Sequence, residues 1–384
     1  MRDGWEIKKV GEVCEIINGF AFKSQLFKDR GDDILRISNI QNGVVVDDDI
    51  AHFSKNDYPK VDFDKYTVFP NDIVVALSGA TTGKFGINNT GRKLYLNQRV
   101  AICREKTNDM HHRFLLYFLK TQSNSFLESA AGVAQPNLST EQIKLYEIPI
   151  PSISEQERIV AELDLLSGII EKQKQQLKEY DTLAQSIFYT MFGDPITNEK
   201  GWEVKKLEDF CSFSQGVQVD LPLQSSSPKE GWNRFLRISD YTTDNAEIRY
   251  VDIQDKRFYV QLDDVVIVRY GASAGYVGVF KEGVLANNLF KLNHKRTIVN
   301  NIYLYYSLLT DYYKSYIKKV AFGAAMPALS FNSLRDFCMI IPPLSLQQEF
   351  AKKIEAIEKQ KELIKQSIAE TETLFNSRMD YYFN

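Results

Sequence analysis

Few groups in the 384-residue chain are spaced for covalent chemistry. Gly79-Ala-Thr-Thr-Gly-Lys-Phe-Gly looks at first like a phosphate-binding loop. Such a loop needs four residues between its glycines and Ser or Thr after the lysine. Here three residues separate Gly79 from Gly83, and Phe85 follows Lys84. An adenine methyltransferase needs Asn or Asp before Pro-Pro-aromatic, and Ile341-Pro-Pro-Leu344 lacks that polar residue. Asp194, Glu199 and Lys200 lack the strand-borne acid-x-Lys spacing of a nuclease. His52, His111, His112 and His294 are scattered, without metal-ligand spacing. Cys14, Cys103, Cys211 and Cys338 form neither a disulfide framework nor a zinc site, which predicts a reducing, cytoplasmic setting. No cofactor and no metal are expected on this chain.

The chemistry that remains is non-covalent. Recognition of a polar ligand needs side chains that donate and accept hydrogen bonds. Glycine-bounded loops concentrate them. In the first half these are Ser78, Thr81, Thr82 and Lys84, then Asn97, Gln98 and Arg99. Gln135 and Asn137 mark another exposed turn there. In the second half they are Arg269, Tyr270, Ser273 and Tyr276, then Asn287 and Asn288. Ordinary surface loops in diverged copies are the plain alternative. Arg36 and Arg237 occupy matching places; they either contact phosphate or pair with a carboxylate inside the fold.

These loops are held by a duplicated framework. Gly4-Trp-Glu-Ile-Lys-Lys returns as Gly201-Trp-Glu-Val-Lys-Lys, and Leu35-Arg-Ile-Ser-Asn as Leu236-Arg-Ile-Ser-Asp. The stretch from Asp72 returns from Asp264, that from Gly132 from Gly323, and that from Ile150 from Ile341. Five such matches in one order mean a duplicated domain rather than a solenoid. Runs such as Ile73-Val-Val-Ala and Val265-Val-Ile-Val are β-branched and closed by glycine turns, as buried strands are. Short helical patterns follow at Arg113–Lys120 and Ile302–Leu309. The expected class is α+β: strand-rich domains at 1–152 and 196–343, and long helices at 153–195 and 344–384. Proline precedes each long helix, and Ser154 with Glu157 reads as a capping box.

In the first long helix Ile159, Leu163, Leu166, Ile170, Gln173 and Leu177 step by four and three. Phe350, Ile354, Ile357, Lys361, Ile364, Ile368 and Phe375 repeat the register in the second. This heptad seam predicts an intramolecular, antiparallel coiled coil about 55 Å long. Gln173 and Lys361 interrupt it, as register-fixing residues do. The alternative is two amphipathic helices, each packed on its own domain.

The net charge is −3. Residues 1–152 hold 19 basic and 19 acidic residues, and 193–343 hold 18 and 17. The helices carry the acidity, with 4 against 7 and 6 against 7. A free-standing, nonspecific DNA binder is usually basic. The charge gives no such signal; if the chain binds DNA, a local patch or a partner must supply the phosphate clamp. No apolar run approaches the ~18–20 residues that span a bilayer. The opening residues lack a basic region followed by an apolar one, so no secretory signal is expected.

The paired motifs, each copy leading into a heptad helix, resemble the specificity (S) subunit of type I restriction-modification systems. The resemblance covers essentially the whole chain. It implies two pseudo-symmetric target recognition domains, each reading one half of a bipartite double-stranded DNA site. It implies no catalysis by the chain itself. The helices would act as spacer and dock two modification (M) subunits, which bind S-adenosylmethionine and methylate adenine. Restriction (R) subunits would add ATP- and Mg-dependent translocation and cleavage. A coiled-coil adaptor without DNA readout, and an S-like subunit of another restriction-modification system, are the competing readings.

Overall fold

The computed structural model describes residues 4–383 apart from 42, 80–81, 107–108, 130–136, 244–245 and 322–326. It divides into two units, Met1–Gln173 with Ser367–Asn384, and Lys174–Gln366.

In the first unit Ile73–Ala76 is apolar throughout because both its faces are covered. It lies between Val100–Glu105 and Phe85–Ile87 in a six-stranded sheet. Cys14–Asn18 forms one edge, and Val44–Val45 then Ile40–Gln41 complete the other. A second sheet orders Ala51–Phe53, Asp32–Leu35, Leu94–Leu96 and Thr67–Val68. Its central pair is parallel, with Leu96 opposite Leu35. Phe22, Phe53, Tyr58, Phe63 and Tyr95 form a separate aromatic core against it. The helix expected at Arg113–Lys120 runs longer, from His112 to Ser129. Phe114, Leu115, Phe118 and Leu119 anchor it in the core, and no glycine or proline interrupts the polar turns beyond them.

The second unit repeats this plan. One sheet orders Cys211–Gln215, Leu289–His294, Val266–Val268 and Val277–Gly278. The other orders Gln224–Ser225, Arg249–Val251, Asn233–Leu236, Gly283–Leu285 and Tyr259–Val260. Its parallel pair sets Leu236 opposite Leu285, matching Leu35 and Leu96. The helix expected at Ile302–Leu309 is Asn301–Ser307, and a second helix follows at Asp311–Ala321. The opening motif of each copy returns to the strand that precedes its long helix. Glu6–Lys9 pairs antiparallel with Glu147–Ile150, and Glu203–Lys206 with Cys338–Ile341.

The long helices are Ile153–Phe192 and Leu344–Phe383, 40 residues each. In the first unit Arg378 and Tyr382 both hydrogen-bond Glu162, and Gln173 Nε2 donates to Ser367 Oγ at 2.7 Å. In the second, Lys361 Nζ meets Asp181 at 2.7 Å, and the Phe350 ring lies 5.7 Å from Phe188 and 5.3 Å from Phe192. Partner numbers fall along one helix as they rise along the other, so the pairing is antiparallel in each unit. Ile159, Leu163, Phe350, Ile354, Ile357 and Ile368 are buried in the seam, and Leu166, Ile170, Leu177, Ile364 and Phe375 are half-buried. Val160, Phe188, Phe192, Met379 and Phe383 are also buried, beside the seam rather than in it. Within each unit the helix segments therefore pack on the strand-rich domain as well as on each other. Burial of each such phenylalanine contributes roughly 1.5–3 kcal/mol.

The cap of the first long helix differs from the expectation. Ser154 lies inside the helix, and Ser152 Oγ accepts from the Glu155 amide at 3.4 Å. The chain turns into the helix directly after Pro151, which moves the cap two residues upstream.

Candidate nucleic-acid interface

Each unit brings three of the sequence-selected loops to one strand end. In the first unit the strand Ile73–Ala76 runs on into Leu77-Ser78-Gly79. The Leu77 N–H donates to the Arg99 carbonyl, and the Leu77 carbonyl accepts from the Leu138 N–H, both at 2.8 Å. Ser78 forms an antiparallel bridge with Asn137. The Asn97–Arg99 loop and the turn at Asn137 thus flank Ser78 through main-chain bonds. Gln98, Arg99, Asn137 and Lys84 are exposed, and Asn97 is half-buried. The Ser78 hydroxyl is buried and, among the described residues, has no hydrogen-bond partner.

The second unit builds the same frame. The Arg269 N–H donates to the Asn288 carbonyl at 2.9 Å, and the Leu329 N–H to the Arg269 carbonyl at 2.9 Å. Tyr270 bridges Ala328, and the Gly271 N–H reaches the Pro327 carbonyl at 3.0 Å. The side chains on this frame differ from those of the first unit. Arg269 stands where Leu77 stands, and Asn288 where Arg99 stands. The arginine stands in the turn before strand Val100–Glu105 in the first unit and just after strand Val266–Val268 in the second.

Other candidates fill out the second rim. The Arg269 guanidinium carbon lies 4.6 Å from the Tyr270 ring centroid and 5.1 Å from that of Phe290. Asn287 Nδ2 donates to Gln218 Oε1 at 3.2 Å, while Asn288 Oδ1 is buried and, among the described residues, without a partner. Tyr270 is 37% exposed and Tyr276 46% exposed, and Ser273 is half-buried. Phe290 and Gln218 were not singled out from the sequence. The alternation of the strand Leu289–His294 was a usable signal for Phe290; Gln218 had none.

A close backbone approach fixes the first of these loops in each unit. A Cβ on Gly19 would lie 2.0 Å from the Asn97 carbonyl oxygen, and one on Gly216 2.1 Å from that of Leu285. Only glycine fits there. The Gln98 N–H then reaches the Phe20 carbonyl at 2.8 Å, and the Asn287 N–H that of Val217 at 3.0 Å.

Three candidates play different parts. Thr82 is buried and donates its hydroxyl to the Gly79 carbonyl at 2.6 Å, closing the turn between two antiparallel strands. Its hydroxyl holds the loop. Arg237 Nε reaches the fully buried Asp240 carboxylate at 3.3 Å, and its Nη2 the Glu247 carbonyl. Arg36 Nη2 donates to the Asp49 carbonyl at 2.6 Å. Both arginines thus bond within their own unit, Arg237 to a buried carboxylate and Arg36 to a main-chain carbonyl. Thr81 and Gln135 lie outside the described residues.

The family model for the type I restriction modification DNA specificity domain matches residues 2–179 and 199–373. The chain belongs to this family. Each match to the specificity domain covers one strand-rich domain and much of the long helix after it. The chain is 20% identical to the EcoBI specificity subunit of Escherichia coli, over 93% of this chain and 80% of that one. It is 35% identical to the EcoAI specificity subunit of Escherichia coli, over 46% of this chain and 30% of that one. Among solved structures, the S subunit of a type I restriction-modification system from M. genitalium shares the fold. The TM-score is 0.58 at 16% identity, covering 99% of this chain and 96% of that one. The role of this specificity-domain chain is thus in DNA specificity. No described helix is long and apolar enough to cross a membrane. Among the described residues, no three or more His, Cys, Asp and Glu side chains gather to hold a metal ion.

Proposed function

We propose that the two units read the two halves of an asymmetric, bipartite DNA site. The observation that carries this reading is the common frame with exchanged side chains. Leu77 and Arg99 in one unit answer to Arg269 and Asn288 in the other on the same main-chain hydrogen bonds. Two heads built alike with unlike tips suit two unlike half-sites. Duplicated reading heads match the dyad of DNA itself, and heads about 34 Å apart meet the same side of the duplex.

The paired helices set the unread gap and dock two modification subunits. Those subunits bind S-adenosylmethionine and methylate adenine. Restriction subunits add ATP- and Mg-dependent cleavage, and this chain contributes no catalytic group. Near-neutral charge fits a subunit whose partners wrap the duplex and supply phosphate contacts.

The test is co-expression with the modification subunit in a host lacking DNA methylation, followed by mapping of modified adenines. One split, asymmetric motif with a fixed gap, modified on both strands, is the expected result. An intact complex that modifies nothing sinks the proposal and favours an adaptor without DNA readout.

A further inference from the structure

We infer that Arg269 reads a guanine in the half-site of the second unit, an inference that rests on the bipartite reading above. The Arg269 backbone is pinned on both sides, its N–H on Asn288 and its carbonyl on Leu329, each at 2.9 Å. Its side chain is held between the Tyr270 and Phe290 rings, at 4.6 and 5.1 Å. Such ring contacts fix the orientation of a guanidinium without satisfying its N–H groups. Nε is buried and has no hydrogen-bond partner. Among the described residues the guanidinium has ring contacts and makes no hydrogen bond and no ion pair.

Arg36, Arg234 and Arg249 also leave a buried Nε unmet, but each places its Nη2 on an acceptor. Arg36, Arg104, Arg113, Arg237 and Arg378 each close on a carboxylate of their own unit. A half-buried guanidinium with an unmet N–H carries a desolvation cost that an arriving acceptor would relieve. The guanidinium has donors only, in a fixed fork. On the major-groove edge, guanine alone offers two acceptors, N7 and O6, side by side; adenine and cytosine each present a donor there. Tyr270 and the unpartnered Asn288 Oδ1 border the same strand end. The first unit has Leu77 at the matching position, so this readout belongs to one half-site alone.

The experiment compares the wild-type complex with its Arg269→Lys and Arg269→Ala forms, each assembled with the modification subunit. The readouts are the modified-adenine motif and DNA binding against salt. Wild type is expected to specify a G·C pair in the half-site of the second unit. In both variants discrimination at that one position should fall by about 10-fold or more, with the other half-site unchanged. Arg269→Lys keeps the charge and the strand end, so loss in that variant isolates the fork from folding. A uniform loss of affinity with an intact motif, and a salt slope lower by about one, would mark a phosphate contact and overturn the inference. A wild-type complex that yields no split motif removes the bipartite reading, and this assignment with it, before any variant is made.

Discussion

Gln156 and Gln347 make the same three hydrogen bonds, one set in each unit. Gln156 Nε2 donates to the Asp109 and Pro151 carbonyls at 2.7 and 2.9 Å, and its Oε1 accepts from the His111 N–H at 2.8 Å. Gln347 Nε2 donates to the Ile298 and Pro342 carbonyls at 3.1 and 2.8 Å, and its Oε1 accepts from the Asn300 N–H at 2.8 Å. Both side chains are fully buried. Each glutamine rivets the first turn of a long helix to the strand before it and to the loop that begins the domain's helical part.

Gln347→Leu strands the Asn300 N–H and two carbonyls in a dry site. An unpaired buried group costs about 1–3 kcal/mol, so the second unit should lose about 3 kcal/mol of stability. Urea unfolding followed at Trp202 or Trp232 reads that unit. Gln156→Leu should do the same to the first unit, followed at Trp5. A loss below about 0.5 kcal/mol would show that the glutamines do not hold the helices.

Lys361 interrupts the seam and reaches Asp181 at 2.7 Å and Glu358 at 2.8 Å, with its side chain 15% exposed. Removing one member of a partly buried ion pair leaves the other charge uncompensated. Lys361→Met takes the cation from both Asp181 and Glu358 and should lower the thermal midpoint. Asp181→Ala keeps the Glu358 partner and should cost about 0.5–1 kcal/mol. A smaller loss in Lys361→Met than in Asp181→Ala would refute this balance.

His294 is held below its ordinary value of 6.5, chiefly by burial and further by Arg296, against the opposing hydrogen bond to Asn301. The unfolded chain takes up its proton near pH 6.5, while the folded chain resists until a lower pH. Across that window the unfolded state binds more protons, so the second unit loses stability as pH falls below about 6.5. His294→Gln should flatten this part of the profile. Chemical unfolding of both proteins between pH 7.5 and about 5 measures it, and parallel curves would exclude the histidine.

Gly19→Ala and Gly216→Ala should each damage one reading edge and spare the other. The new methyl would meet main-chain oxygens 2.0 and 2.1 Å away, which flexible side chains cannot relieve. Destabilisation of the order of 3 kcal/mol or more is expected, at the severe end for single substitutions. In the modified-adenine assay Gly19→Ala should blur only the half-site of the first unit. Equal loss in both half-sites would contradict independent heads.

The framework was legible because its signals are periodic or repeated. The heptad stripe gave the antiparallel helices, and Gly-Trp-Glu-[Ile/Val]-Lys-Lys marked the strand that each unit folds back on itself. Other features depend on contacts between distant residues. The meeting of Ser78 with Asn137 and of Leu77 with Arg99 runs through main-chain bonds that any side chain allows. Thr82 and Lys84 look alike as polar loop residues, yet one closes a turn and the other is exposed. Arg36 and Arg269 both follow strands, and only their carboxylate environment separates a braced side chain from an available one. The glutamines were visible as part of a shared motif, but their role needed the carbonyls of Asp109 and Ile298, about 47 and 49 residues upstream.

Met379, Tyr382 and Phe383 belong to the same core as Phe114, Phe118 and Ile148. The Phe383 ring sits 5.0 Å from Phe114. The first unit to leave the ribosome is therefore the last to be finished. Its strands emerge early, but a wedge of its interior stays empty until residue 383 has been made. A message cut short before that point would release a chain with a greasy socket around Phe114.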